Sequence, residues 1–425
     1  MRRRPTAARY QKHALHYFLK GLGELPAPLI ERLNQYLGAP TAEQYPHANA
    51  HLRLIVAFNR KLKRPLQLAH LIKLRQKFAT DAVALQAPKV WQQPNIDVKS
   101  KPKKSALVRD SVVSWQDKCI ANADGGDMTV RCYQLGTDYK QTHGQKGNEE
   151  DTGQKKSDKI AMLFFHGGGF CIGGLDTHHE FCHTVCALTG WVVVSVDYRL
   201  APEHPAPTAL MDCIAAYKWL AEHCHTLGAS SSRIVLSGDS AGGCLAILVA
   251  QQVITPTATQ WLNLGLDGEI VTTLLQDLPR PLAQLPLYPV TDIEADYPSW
   301  SLYGDGLLLD HDDIEVFDTA YMQGSALTRS HALISPMNGN NTHLCPSYIV
   351  VAELDILRDE ALAYTAQLQQ DNSDVRTYTV LGAPHGFIHL MSIHKGLGRE
   401  TDYIINEFSL FVRQLLAAET AMQSD

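Results

Sequence analysis

No apolar run in this 425-residue chain approaches the roughly 20 residues of a membrane-spanning helix; the longest are of strand length. The chain lacks G-x-x-x-x-G-K-S/T, and no G-x-G-x-x-G opens a helix near its start. Neither glycine-rich nucleotide cradle is therefore expected. Nucleic-acid binding has a basic N-terminal region in its favour but no reading motif, and no nucleic-acid partner is expected. Met1-Arg2-Arg3-Arg4-Pro5 is basic, but no apolar h-region follows, so no secretory signal is read. The nine cysteines, at 119, 132, 171, 182, 186, 213, 224, 244 and 345, are odd in number and sit mostly in apolar contexts. That argues against a disulfide framework and for free, buried thiols in a reducing, cytoplasmic compartment. There is no internal repeat.

What is present is ordinary globular composition, 45% hydrophobic and 19% charged, with charge unevenly placed. Residues 1–104 hold 20 Lys+Arg against 5 Asp+Glu, a net of +15, while the remainder holds 18 against 39, a net of −21. A basic layer docked on an acidic body explains this most simply. Contact with an anionic membrane surface is the sharper alternative.

Residues 8–104 read as helices. Leu15, Phe18, Leu19 and Leu22 form one stripe, and Leu29, Leu33 and Leu37 a second after Pro28. Leu54, Ile55, Phe58 and Leu62 form a third, stopped by Pro65, and Leu68, Leu71, Ile72 and Phe78 a fourth. Lys101-Pro102-Lys103-Lys104 reads as a linker to a second region, 105–425. There the pattern predicts strands at 105–115, 128–135, 160–165, 191–196, 233–237, 284–288, 347–352 and 375–381. Helices are expected over about 176–189, 207–225, 243–250, 358–370 and 402–417. The polar stretch 136–159 and the excursion at 255–282 read as additions. Strands alternating with helices give an α/β class: a mostly parallel sheet covered on both faces, with ligands gathering at the carboxyl ends of the strands.

One stretch organises the rest. Gly238-Asp239-Ser240-Ala241-Gly242 lies between an apolar strand and an apolar helix. A serine flanked by glycines at such a turn is the nucleophile-elbow pattern, and the helix start behind it presents backbone N–H groups to an anion. Upstream, His166-Gly167-Gly168-Gly169-Phe170 follows a buried strand and supplies further amides able to meet a developing oxyanion. Downstream, His385 sits in the tight loop Gly382-Ala383-Pro384-His385-Gly386-Phe387 and is the candidate base. The candidate acid lies after the preceding strand, in Glu353-Leu354-Asp355-Ile356-Leu357-Arg358-Asp359. Asp355 is the natural orienter of the imidazole, and Glu353 and Asp359 are rivals that spacing alone does not separate. In Asp197–Pro207, a proline-rich loop, Arg199 is expected to pair with Asp197 or Glu203.

These motifs together, in this order over roughly 105–420, resemble the hormone-sensitive-lipase family of carboxylesterases, which have the α/β-hydrolase fold. The resemblance implies a triad of Ser240, Asp355 and His385. It implies an oxyanion hole from the amides of Gly168, Gly169 and Ala241, with Gly167 shaping the loop. It also implies that residues 1–104 form a helical cap, that the substrate is a small-molecule ester, and that no cofactor is needed. The expected activity is hydrolysis of short- to medium-chain esters through an acyl-enzyme. Amide or lactone hydrolysis by the same residues is one alternative. A small-molecule receptor is another, although receptors of this fold have lost a triad member and here all three positions are filled. The long N-terminal region and the two additions depart from the family pattern at the site's entrance, not in its chemistry. His179-Glu180-Phe181-Cys182-His183 matches the zinc-protease pattern H-E-x-x-H, but no third ligand is evident and the serine set is intact, so no metal is assigned.

Overall fold

The computed structural model describes residues 13–92, 112–136, 159–256, 260–261, 275, 277–371 and 373–422. Residues 1–5, the linker at 101–104, nearly all of the polar stretch 136–159 and most of the excursion at 255–282 lie outside the described residues.

Eight strands form one sheet in the order β1-β2-β4-β3-β5-β6-β7-β8. They are β1 Val113–Ala121, β2 Asp127–Leu135, β3 Ala161–Phe165, β4 Val192–Asp197, β5 Ile234–Asp239, β6 Ala283–Leu287, β7 Ser347–Leu354 and β8 Val375–Pro384. β1 and β2 pair antiparallel, as do β2 and β4; every later pairing is parallel. The central strands are buried except for Asp197 at the end of β4, which is why they read as unbroken apolar runs rather than alternating ones. The hairpin between β1 and β2 closes on Asn122, whose Oδ1 accepts the N–H groups of Asp124 and Gly126 at 2.9 Å each. β1 runs from Val113 to Ala121, past the Trp115 end of the expected strand, because its outer positions are polar and hide it; residues 105–111 of that expectation lie outside the described residues.

Eleven helices accompany the sheet among the described residues. In the N-terminal layer, α1 is Ala14–Leu22, α2 Ala27–Leu37, α3 Ala50–Leu62 and α4 Leu71–Leu85. Asn49 caps α3 by accepting the Leu52 N–H at 2.9 Å, and α2 stops at the left-handed Gly38. Beyond them are α5 His179–Thr189, α6 Thr208–His223, α7 Ala241–Ile254, α8 Pro298–Tyr303, α9 His311–Met322, α10 Arg358–Gln370 and α11 Lys395–Met422. One apolar core, with α6, α7 and α10, lies on one sheet face; a second, with α5, α11 and parts of α1 and α3, lies on the other. α7 is buried from Ala241 to Val253, so it has no polar face to betray it as a helix. No helix among the described residues is long and apolar enough to cross a membrane.

Two readings of the sequence need correction. Arg199 pairs with neither Asp197 nor Glu203. Its guanidinium reaches Asp212 on α6 at 2.8 and 2.9 Å and also Asp124 of the hairpin turn. Glu203 instead receives Arg75 from α4 at 2.6 Å. Long cationic side chains find partners across elements, which local spacing does not encode. The second concerns 289–346, to which the sequence assigned no element. It holds α8 and α9, and α9 opens with the acidic turn His311-Asp312-Asp313, closed by a capping box between Asp310 and Asp313. That acidic start masks the apolar spacing of Ile314, Phe317 and Tyr321 behind it.

Candidate active site

The elbow is built where β5 turns into α7. Ser240 has φ 54° and ψ −121°, a conformation costly for a residue with a side chain and stable only when its surroundings enforce it. They do so by contact. A methyl group on Gly238 would strike the Gly242 carbonyl, and one on Gly242 would strike the Phe165 carbonyl at the end of β3. Strand and helix therefore approach backbone to backbone, and Ser240 stands at the carboxyl edge of the sheet.

The loops after β7 and β8 bring the other two residues to it. His385 Nε2 lies 2.8 Å from Ser240 Oγ, and His385 Nδ1 lies 2.7 Å from Asp355 Oδ2. A carboxylate only accepts, so the imidazole proton sits on Nδ1 and Nε2 is free to take the serine proton. The second oxygen of Asp355 accepts the Leu357 N–H at 2.9 Å, which fixes the carboxylate at the start of the loop leading into α10. Of the rivals, Asp359 is bound to Arg358 at 2.6 Å, and Glu353 faces His47 at 2.7 Å; Asp355 is the carboxylate on the imidazole. Tyr288 packs edge-on against His385 with ring centroids 4.9 Å apart.

The glycine loop is tied to the elbow. Asp239, beside the serine, accepts the Gly167 N–H at 2.7 Å, and the Tyr198 hydroxyl donates to the His166 carbonyl at 2.6 Å. Asp239 is fully enclosed. Burial works against its charge, but His178 Nε2 at 3.0 Å and the Gly167 N–H hold it ionised, down at about 2. Burial lowers His166 and His389 to about 3, so both rings are neutral. The amides of Gly168, Gly169 and Ala241 donate to no acceptor among the described residues. Their N–H groups are thus unspent. Phe317 of α9 lies against Gly169. Sequence reasoning missed Asp239, Tyr288 and Phe317. The first was in view inside the elbow motif, and the apolar spacing of α9 was the available signal for the last.

Two groups bear on metals. In α5, His179 has both ring nitrogens engaged: Nδ1 lies 3.0 Å from the Tyr133 hydroxyl, and Nε2 lies 3.0 Å from the Val90 carbonyl. The H-E-x-x-H residues therefore serve packing, with Trp91 stacked on His179 at 4.1 Å. His178, Asp239 and His389 bring ligand atoms within 4.8 Å of one another, yet Asp239 is already committed to Gly167 and His178.

A profile of the family described as alpha/beta hydrolase fold matches residues 162–389. Over 417 residues the chain is 64% identical to Lipase 2 of Moraxella sp., covering 96% of this chain and 92% of that protein. It is 36% identical over 247 residues to the carboxylic ester hydrolase LipN of Mycobacterium tuberculosis, covering 58% and 61%. The hyperthermophilic esterase of the archaeon Pyrobaculum calidifontis shares the fold with a TM-score of 0.66 at 24% identity, covering 86% of this chain and 98% of that one. The chain belongs to the alpha/beta-hydrolase family, among the carboxylic ester hydrolases of hormone-sensitive-lipase type.

Proposed function

We propose that Ser240 is the nucleophile of this ester hydrolase, His385 its general base and acid, and Asp355 the group that orients and charge-compensates His385. The hydrogen-bonded chain from Ser240 Oγ through the imidazole to Asp355 carries this reading. Ser240 Oγ attacks the ester carbonyl as its proton passes to His385 Nε2. The oxyanion forms toward the unspent amides of Gly168, Gly169 and Ala241, each worth about 3 kcal/mol to the transition state. The imidazolium protonates the leaving alcohol, and water then repeats the sequence on the acyl-enzyme.

The substrate is a small-molecule ester of short to medium acyl length. Phe317 packed against Gly169 supports this, since a bulky ring beside the glycine loop takes up room there. A series of aryl esters from two to sixteen acyl carbons tests it: turnover should peak in the shorter half, and a peak at long chains would refute it. Ser240→Ala should abolish turnover and organophosphate labelling; retained turnover would overturn the nucleophile assignment. The nine free cysteines, eight of them buried, favour a reducing compartment such as the cytoplasm. Tyr17, Phe18, Leu62 and Ile72 are exposed on the basic helical layer, which supports peripheral contact with anionic membrane. Sedimentation with anionic vesicles but not neutral ones, lost at high salt, is the expected result.

A further inference from the structure

Glu353 was a rival for the acid, and the structure gives it other partners. β7 and β8 run in register until Ala352 pairs with Val380; the next pair is Leu354 with Pro384. One residue on β7 thus faces three on β8, and the extra residues bulge out as Leu381, Gly382 and Ala383. The bulge carries the chain to His385, two residues beyond Ala383. A bulge leaves backbone donors outside the ladder, and a buried donor without a partner costs about 1–3 kcal/mol. Glu353, the lone residue opposite, supplies the partner: its Oε2 accepts the Gly382 N–H at 2.5 Å.

The same carboxylate takes a second donor from the N-terminal layer. His47 Nδ1 lies 2.7 Å from Oε1 and 2.9 Å from Oε2. Backbone meets backbone at this point too. Gly382 has φ +72°, and a side chain on it would run into the His47 carbonyl and the Ala48 nitrogen. The segment before α3 therefore lies flat on the bulge that delivers the base. Two donors from two regions converge on one carboxylate two residues ahead of Asp355. The carboxylate accepts both; a glutamine keeps one carbonyl oxygen for the two donors and puts its own N–H groups beside the other contact.

We infer that Glu353 is a positioning residue that fixes the His385 loop against the Asp355 loop, and that His47 is its second anchor, through which the N-terminal layer bears on catalysis. This rests on the reading of Ser240, Asp355 and His385 as the triad. Small displacements of a base from its nucleophile lower turnover far more than substrate binding.

The test uses the full chain with Glu353→Gln, Glu353→Ala, His47→Ala, His47→Asn and the double alanine variant. Active sites are counted with a fluorophosphonate, and kcat and KM are measured on 4-nitrophenyl butyrate. Glu353→Gln should lower kcat per titrated site about tenfold, and His47→Ala about threefold, with KM nearly unchanged. His47→Asn, whose amide stands where Nδ1 stood, should restore most of the loss. The double variant should be no slower than Glu353→Ala alone, because both changes remove one interaction. If Glu353 variants keep wild-type kcat per site, or if the two alanine effects multiply, the inference is overturned. Should the Glu353 variants not fold, the half-exposed His47 pair decides on its own: equal kcat for His47→Ala and wild type would refute the anchor. Failure of the triad reading looks different, since the wild-type chain would then not react with the phosphonate at Ser240.

Discussion

The carboxyl edge of the sheet and the N-terminal helical layer are both packed on apolar cores, yet their positions are set by different means. At the edge, backbone touches backbone: Gly238, Gly242 and the end of β3 leave no room for a side chain, and Ser240 is placed by steric necessity. The layer shares apolar contacts through Leu19, Leu52, Ile55 and Leu71 and meets the backbone of Gly382 at His47, but polar side chains make most of its specific contacts with the body. Arg75 clasps Glu203 and the carbonyls of Cys171 and Ala201. Lys63 reaches Asp310 and Asp313 at the start of α9. Gln86 donates to the carbonyls of Asp176 and Thr177. Steric placement is all-or-none, whereas polar latches are separate and individually replaceable.

Substitutions sharpen that contrast, the largest effect first. Ser240→Ala should lower kcat by about 10⁴-fold or more while the melting temperature stays close to wild type, since the alanine keeps the elbow's backbone. Asp355→Asn should cost about 10⁴-fold in kcat by leaving the imidazole in the wrong tautomer, again with the fold intact. In the layer, Arg75→Ala should destabilise by about 2 kcal/mol by denaturant titration, since charge-assisted bonds to two backbone carbonyls go unmade. Because Cys171 follows the glycine loop closely, a few-fold fall in kcat should accompany it.

Acid should loosen the contact between layer and body. Burial lowers His179 to about 3 and His394 to about 4, and lowers His51, and all three sit where layer and body meet. Their pKa values lie below the unfolded value of about 6.5, so the stability they contribute is present above that value and is lost as pH falls toward 3–4. Glu180, raised by burial at the same contact, runs the other way. Protection against hydrogen exchange, with the slower intrinsic exchange in acid divided out, should therefore fall in α3 and α4 between pH 7 and pH 5, and His166 and His389, lowered as far at the edge, should make β5 and α7 lose protection as well. The smallest effect belongs to the exposed Lys77–Asp81 pair, where Lys77→Ala should change stability by no more than about 0.5 kcal/mol. A larger loss there would blur the distinction between latches and decoration.

The same contrast explains what could be read from the sequence. The elbow, the glycine loop and the loop that carries His385 are legible because close backbone approach and a reactive geometry permit few residue types there, whereas spacing narrows the acid only to Glu353, Asp355 or Asp359. The central strands are legible as unbroken apolar runs. Arg199 was not, because a guanidinium on a long stem chooses partners from distant turns. α9 was hidden by its acidic first turn, and with it Phe317. The role of Glu353 was out of reach for another reason: a bulge is a property of two strands in register, and neither strand shows it alone.

The latches also bear on how the layer can move. A swing of the whole layer would break the bonds of Arg75, Lys63, Gln86 and His47 together, and the costs of simultaneous breaks add. Each latch alone opens far more often. Movement of the layer is thus a matter of brief, local gaps rather than a swing on a hinge.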